Sequence, residues 1–286
     1  MGAKLETLSR QAAHGGRIGT YRHPSKATGT DMTFGLFEPP AAKDAPVPVL
    51  TYLAGLTCDH ETFMIKAGAL KRAAELGLML VAPDTSPRGD NVPDDPDGGW
   101  DFGLGAGFYL DASEAPWAEH YKMESYITRD LQEAVFDNFA GNRAAQGIFG
   151  HSMGGHGALT LGLRHPELYK SISALAPICA PMEAPWGQKA FSNYLGADRK
   201  TWAEHDASRI MAKVPDAASR PHILVDQGLA DEFLDVQLFP ERLEAAAEAS
   251  GYPLQLHRHE GYDHGYYFIQ TFIADHLAHH AAILRG

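Results

Sequence analysis

Short apolar runs separated by stretches of helical periodicity leave this chain few ways to fold. The runs "PVPVLTYLAG", "GLMLVAPD", "AQGIFG", "YKSISALAP", "RPHILVDQG" and "YPLQLHRHEG" have strand length, and most are apolar enough to be buried on both faces. Between them lie "MIKAGALKRAAELG", "SYITRDLQEAVFDNFAGN", "GGHGALTLGLRHPE", "PERLEAAAEASG" and "YYFIQTFIADHLAHHAAIL", which read as helices. This order predicts an α/β fold, a mostly parallel central sheet flanked by helices. "DMTFGLFEPP" alternates and ends in prolines, which predicts an antiparallel start. The 286 residues are read as a single domain, 1–286. Two long segments interrupt the alternation: 86–118, rich in Gly, Pro and Asp, and 180–208, which has no strong period. Long loops in compact domains tend to carry function.

Charge and composition exclude several classes. A hydrophobic fraction of 44% and a charged fraction of 21% fit a folded globular chain. The net charge of −12 repels phosphate backbones and anionic headgroups, so neither nucleic acid nor a membrane surface is an expected partner. Cys58 and Cys179 cannot build a disulfide framework and lack zinc-site spacing. A reducing compartment, the cytoplasm, is expected. The start "MGAKLETLSRQ" has no apolar core of a signal peptide, and no stretch reaches the length of a membrane span. The Asp run of the first long segment is broken by prolines and lacks calcium-loop spacing, so no metal is expected.

"GIFGHSMGGHGAL", Gly147 to Leu159, sets Ser152 between glycines, after a strand-like run and before a helix-like one. With 29 Gly and 12 Ser in the chain, Gly-x-Ser-x-Gly arises by chance in about one such chain in eight, so the context has to decide. Strand, tight turn and helix are the setting of a nucleophile elbow, in which Ser152 is the nucleophile and the Met153 amide is free at a helix N-terminus. A serine hydroxyl needs a base, itself oriented by an acid, in the chain order Ser, Asp or Glu, His.

Of 15 histidines, His264 in "EGYDHGYYF" stands between the last predicted strand and the last helix, where this arrangement presents its base. His151 and His156 flank the turn and are read as structural, pointing away from Ser152. His257, His259, His276, His279 and His280 are read as a solvated set. For the acid, Asp226, Asp231, Glu232 and Asp235 follow "HILV"; Asp226 falls inside the strand and Asp235 at the next helix, which leaves Asp231. Asp231 also suits a helix N-cap. The loop "AGLTCDHETF" offers the Leu56 amide as the second oxyanion donor. Cys58, lacking an elbow, is read as a small thiol lining the pocket. Trp100 and Trp186, one in each long segment, are further candidates for its lining.

"YLAGLTCDHETF", "WDFGLGAGFYLDA", "FGHSMGGHGAL", "PWGQKAFSNYLG", "DQGLADEFL" and "EGYDHGYYFIQTFIADH" together resemble the S-formylglutathione hydrolase (esterase D) family of α/β-hydrolases. The resemblance implies hydrolysis of S-formylglutathione to glutathione and formate, with nucleophile Ser152, acid Asp231, base His264 and donors Leu56 and Met153. It implies a small-molecule glutathione thioester as substrate and no cofactor; a homodimer is compatible with it. Similar proteins usually have serine at Ala54 and at Gly265, and often Lys-Asp at Leu229 and Ala230. These departures flank the site and bear on substrate preference. A general short-chain carboxylesterase would share every catalytic residue, an acyltransferase of the mycolyl type would be secreted, and a binding module on a dead hydrolase fold would lack a triad member.

Overall fold

The structure, a computed structural model, describes residues 5–285. The start of the N-terminal stretch read for a signal lies outside the described residues. The nine strands are β1 (Glu6–Ala13), β2 (Gly16–Pro24), β3 (Asp31–Glu38), β4 (Val47–Leu53), β5 (Met79–Pro83), β6 (Gly141–His151), β7 (Ser171–Leu175), β8 (Ile223–Gly228) and β9 (Leu254–His259). They form one sheet in the order β1-β2-β3-β5-β4-β6-β7-β8-β9. The first three strands and the β3–β5 junction are antiparallel, and every pairing from β5 through β9 is parallel.

The helices are α1 (Thr62–Lys66), α2 (Ala69–Glu75), α3 (Met123–Ser125), which runs through a π turn into α4 (Leu131–Phe136), α5 (Met153–Arg164), α6 (Pro185–Tyr194), α7 (Arg199–Trp202), α8 (Ala207–Met211), α9 (Pro240–Ser250) and α10 (Tyr266–Arg285). Strands β5, β7 and β8 are buried along their whole length, as expected of parallel strands covered on both faces. Helix α5 is buried from Met153 to Leu163 and lies against β6, β7 and β4. Its glycines permit that approach: a Cβ at Gly154 would collide with the Leu53 carbonyl, and one at Gly155 would stand 2.8 Å from Pro177 Cβ.

Several elements depart from the sequence reading. β1 is exposed over most of its length and β2 buries Gly16, Gly19, Tyr21 and His23, so neither displays an aliphatic alternation. His14 and Gly15, both at positive φ, form the tight turn between them. "MIKAGALKRAAELG" forms two helices, because Gly68 takes φ +67° between α1 and α2. The 180–208 segment is largely helical: α6 buries Trp186, Gly187, Ala190, Phe191 and Tyr194 at helical spacing, partly with residues too small to register as an apolar stripe. Pro185 at its first turn was the available signal.

The C-terminal histidines are a clear correction. His276 and His280 are fully buried rather than solvated. His280 bridges Ser171 and Ser173 at 2.6 and 2.9 Å, and His276 joins Ser173 Oγ to Asp226 Oδ2 at 2.7 and 2.8 Å. Asp226 also receives His259 Nε2 at 2.7 Å and His257 Nδ1 at 3.2 Å. Burial alone would raise the Asp226 carboxyl, but the hydrogen bonds from His276 and His259 outweigh it and hold the group below its ordinary range. α10 is thus tied to β7 and β8 by polar groups that satisfy one another.

The packing at the head of α5 predicts a large asymmetry between glycines. Gly154→Ala should cost more than about 3 kcal/mol, because the obstacle is backbone, and should lower the melting midpoint by at least about 5 °C. Gly251→Ala, at φ +72° but in open space, should cost about 1 kcal/mol. Thermal unfolding followed by circular dichroism measures both; equal losses would contradict the packing described.

Candidate active site

β6 ends at His151 and α5 begins at Met153, so Ser152 alone makes the reversal, with φ +58° and ψ −121°. A non-glycine residue holds this conformation only where its surroundings enforce it. Here Ser152 N donates to the Leu175 carbonyl at 3.1 Å, and the Ser152 carbonyl accepts from His156 N at 3.0 Å and Ile178 N at 3.3 Å. Gly150 is required too, since a Cβ there would run into the Gly154 carbonyl. Met153 is the first residue of α5, and its amide has no acceptor within the helix.

The segment after β4 passes directly beside this turn: a Cβ on Gly55 would lie 3.2 Å from Ser152 Cβ. Leu56 follows, in a loop braced by Tyr109 Oη to the Ala54 carbonyl at 2.8 Å, Thr57 N to the Gly105 carbonyl at 3.0 Å and Thr85 Oγ1 to the Cys58 carbonyl at 2.6 Å. Tyr109 and Gly105 come from the 86–118 segment, so that long loop holds the Gly55–Leu56 backbone in place. Leu56 and Met153 therefore come to Ser152 from two different elements, the placement that a pair of oxyanion-stabilising amides needs.

From the far side, His264 Nδ1 meets Asp231 Oδ2 at 2.6 Å. Asp231 Oδ2 also accepts from Gln227 Nε2 at 3.2 Å, and Oδ1 accepts from Phe233 N at 2.9 Å. One carboxylate oxygen thus closes a local turn at Phe233 while the other meets the imidazole; the following π helix begins at Leu234 with Phe233 as its N-cap, so Asp231 is not the helix N-cap that its position also suggests. Among the described residues neither Ser152 Oγ nor His264 Nε2 has a hydrogen-bond partner, each other included, and both residues line one pocket of about 190 Å³. A free enzyme commonly holds such contacts open until substrate arrives.

Leu56, Cys58, Trp100 and Trp186 line the same pocket. The wall is a chain of rings: Trp100 to Trp186 at 5.4 Å, Trp186 to Phe233 at 4.8 Å and Phe233 to His264 at 5.1 Å. Lys189 on α6 pairs with Asp95 at 2.7 Å and Asp101 at 2.5 Å, which fastens the Trp100 segment to the helix carrying Trp186. Phe233 and Tyr266 also line the pocket, two residues after Asp231 and His264, and no motif of their own marks them in the sequence as lining residues.

His151 does not point away, as its place beside Ser152 suggested. It lines the pocket, with its ring centroid 4.5 Å from that of His264. Burial, reinforced by the nearby His264, pushes its pKa well below the ordinary histidine value, so it is a neutral ring at neutral pH. His156 is structural: buried, with Nε2 at 3.2 Å from the Phe108 carbonyl and a pKa lowered to about 3 by burial.

Burial pushes the Cys58 thiol up, against smaller lowering effects of Thr62 and Lys66. Cys179 is fully buried and pushed up further. Iodoacetamide should therefore label Cys58 in the folded protein, at a rate still climbing with pH above the ordinary thiol value of about 8.5, and should spare Cys179. Peptide mass mapping across pH reads both rates. Equal labelling, or a Cys58 rate already level at neutral pH, would contradict this environment.

Comparison with known proteins shows what the chain as a whole is similar to. The family profile described as "Putative esterase" matches residues 25–279. The S-formylglutathione hydrolase of Paracoccus denitrificans (strain Pd 1222) is 51% identical over 276 residues, covering 96% of this chain and 97% of the relative. The S-formylglutathione hydrolase of Bos taurus is 46% identical, covering 99% of each. A solved S-formylglutathione hydrolase from Agrobacterium tumefaciens superposes with a TM-score of 0.94 at 48% identity, covering 98% of this chain and 99% of that one. With a serine elbow at the C-terminal end of β6, an interior strand of a mostly parallel sheet, and with relatives this similar over nearly their full length, the chain belongs to the S-formylglutathione hydrolase family of α/β-hydrolases.

Proposed function

We propose that this chain hydrolyses S-formylglutathione to glutathione and formate by an acyl-enzyme route through Ser152, His264 and Asp231. The observation that carries the mechanism is the 2.6 Å bond that His264 Nδ1 donates to Asp231 Oδ2, with His264 lining the pocket that Ser152 also lines. That bond fixes the tautomer, leaving Nε2 unprotonated and available as a base.

His264 Nε2 takes the Ser152 hydroxyl proton as Oγ attacks the thioester carbonyl. The amides of Leu56 and Met153 hold the oxyanion, and the C–S bond breaks as the imidazolium returns its proton to the departing sulfur. Water then gives a proton to the same nitrogen and attacks the formyl ester, Ser152 regains that proton from the imidazolium, and the formic acid released ionises to formate in solvent. Asp231 stabilises the imidazolium in both halves. His151, kept neutral, adds no positive charge beside it. The pocket of about 190 Å³ that Ser152 and His264 line has room for the acyl group and for the part of the leaving group next to it. Two unpaired cysteines suit action in a reducing compartment, the cytoplasm.

The acyl group tests this reading. Across formyl, acetyl, propionyl and butyryl thioesters of glutathione, kcat/KM should fall by at least about tenfold per added carbon, and Ser152→Ala should lower turnover by about a million. A flat or rising series would identify a general short-chain carboxylesterase instead.

A further inference from the structure

The thioester carbonyl has to reach Ser152 inside this pocket, so the glutathione moiety extends from there toward the mouth, where Trp100 is exposed. That moiety carries two carboxylates and one ammonium, while the protein carries a net charge of −12. The far field opposes such a ligand, and its capture requires a local cation. Trp100 marks one side of the rim and sits among Asp94, Asp95, Asp97 and Asp101. Lys189 is already committed to two of these carboxylates, and Arg88 is committed to Asp84.

The opposite side differs. Tyr266 lines the pocket, and Lys66 Nζ stands 5.7 Å from its ring centroid. The Lys66 carbonyl accepts from Gln270 Nε2 at 2.6 Å, which ties the end of α1 to α10 and fixes the base of the side chain. The Asp59 carboxylate faces the start of α1 instead, accepting from the amides of Glu61 and Thr62 and from Thr62 Oγ1. Lys66 is exposed and forms no ion pair among the described residues. Among the cation–ring contacts of those residues, only that of Lys66 involves a ring of the pocket wall.

We propose that Lys66 is the carboxylate-binding residue for the glutathione leaving group and takes its glycine carboxylate. The glycine end is purely anionic, whereas the γ-glutamyl end carries an ammonium that the acidic Trp100 side tolerates. The assignment rests on the S-formylglutathione reading given above.

Lys66→Ala should raise KM for S-formylglutathione about tenfold and leave kcat within about twofold, the loss of one charge-assisted contact. Lys66→Arg should retain most of the affinity. Hydrolysis of p-nitrophenyl acetate, which has no carboxylate, should be unchanged in both variants and so reports an intact site. S-formylglutathione esterified at its glycine carboxylate should show the same raised KM with the unaltered enzyme and with Lys66→Ala. An unchanged KM for S-formylglutathione, an equal loss on p-nitrophenyl acetate, or effects of mutation and esterification that multiply would each overturn the assignment. If the unaltered enzyme shows no preference for S-formylglutathione over p-nitrophenyl acetate, the substrate reading fails and takes this proposal with it.

Discussion

The backbone of Ser152 is the constraint on which the site depends. At φ +58° the residue occupies a region that side chains avoid, and it stays there because β6, β7 and α5 close around it. Its amide is taken by β7 and its carbonyl by the first turn of α5 and by Ile178. The same closure sets Ser152 against the pocket at the C-terminal end of β6 and leaves the Met153 amide without an acceptor within α5. The glycines at 150, 154 and 155 are there because neighbouring backbone and Pro177 occupy the space a side chain would need. Folding and chemistry share these atoms, so the strain at Ser152 is balanced by packing that the rest of the sheet supplies.

Two carboxylates at the end of β8 have acquired opposite roles through their surroundings. Asp226, inside the strand, is enclosed by His257, His259 and His276, and its hydrogen bonds pin α10 and β9 to the sheet. Asp231, beyond the strand end, meets a single histidine, whose other nitrogen faces the pocket. Ser173, His276 and Asp226 even repeat a serine–histidine–aspartate chain of hydrogen bonds. That chain is buried, whereas Ser152 and His264 line a pocket. Access, not composition, separates the two sets.

Much of this was legible in the sequence because the parallel core writes itself in apolar runs, and because Ser152, Asp231 and His264 each follow a strand in the order such a sheet requires. The parts that escaped notice lack that kind of signal. β1 is exposed and β2 buries glycine, tyrosine and histidine, so neither shows aliphatic alternation. α6 hides its buried face in small residues. His276 and His280 looked like surface residues because a charged or polar type on a helix usually is one; only the facing serines and Asp226 make their burial tolerable. His151 was misread because the elbow turns between it and Ser152, and the direction of that turn is set by contacts distant in sequence.

The central claim is that position, and not mere proximity to histidine, makes Asp231 the residue that orients the base. Asp231→Asn and Asp226→Asn compared by kcat on one thioester test it most directly, with circular dichroism to confirm that both variants fold. Asp231→Asn should lower kcat by about ten thousandfold, as expected when the imidazole loses its tautomer, without comparable loss of stability. Asp226→Asn should lower stability and spare most of kcat. Equal losses of kcat, or the reverse order, would contradict the account.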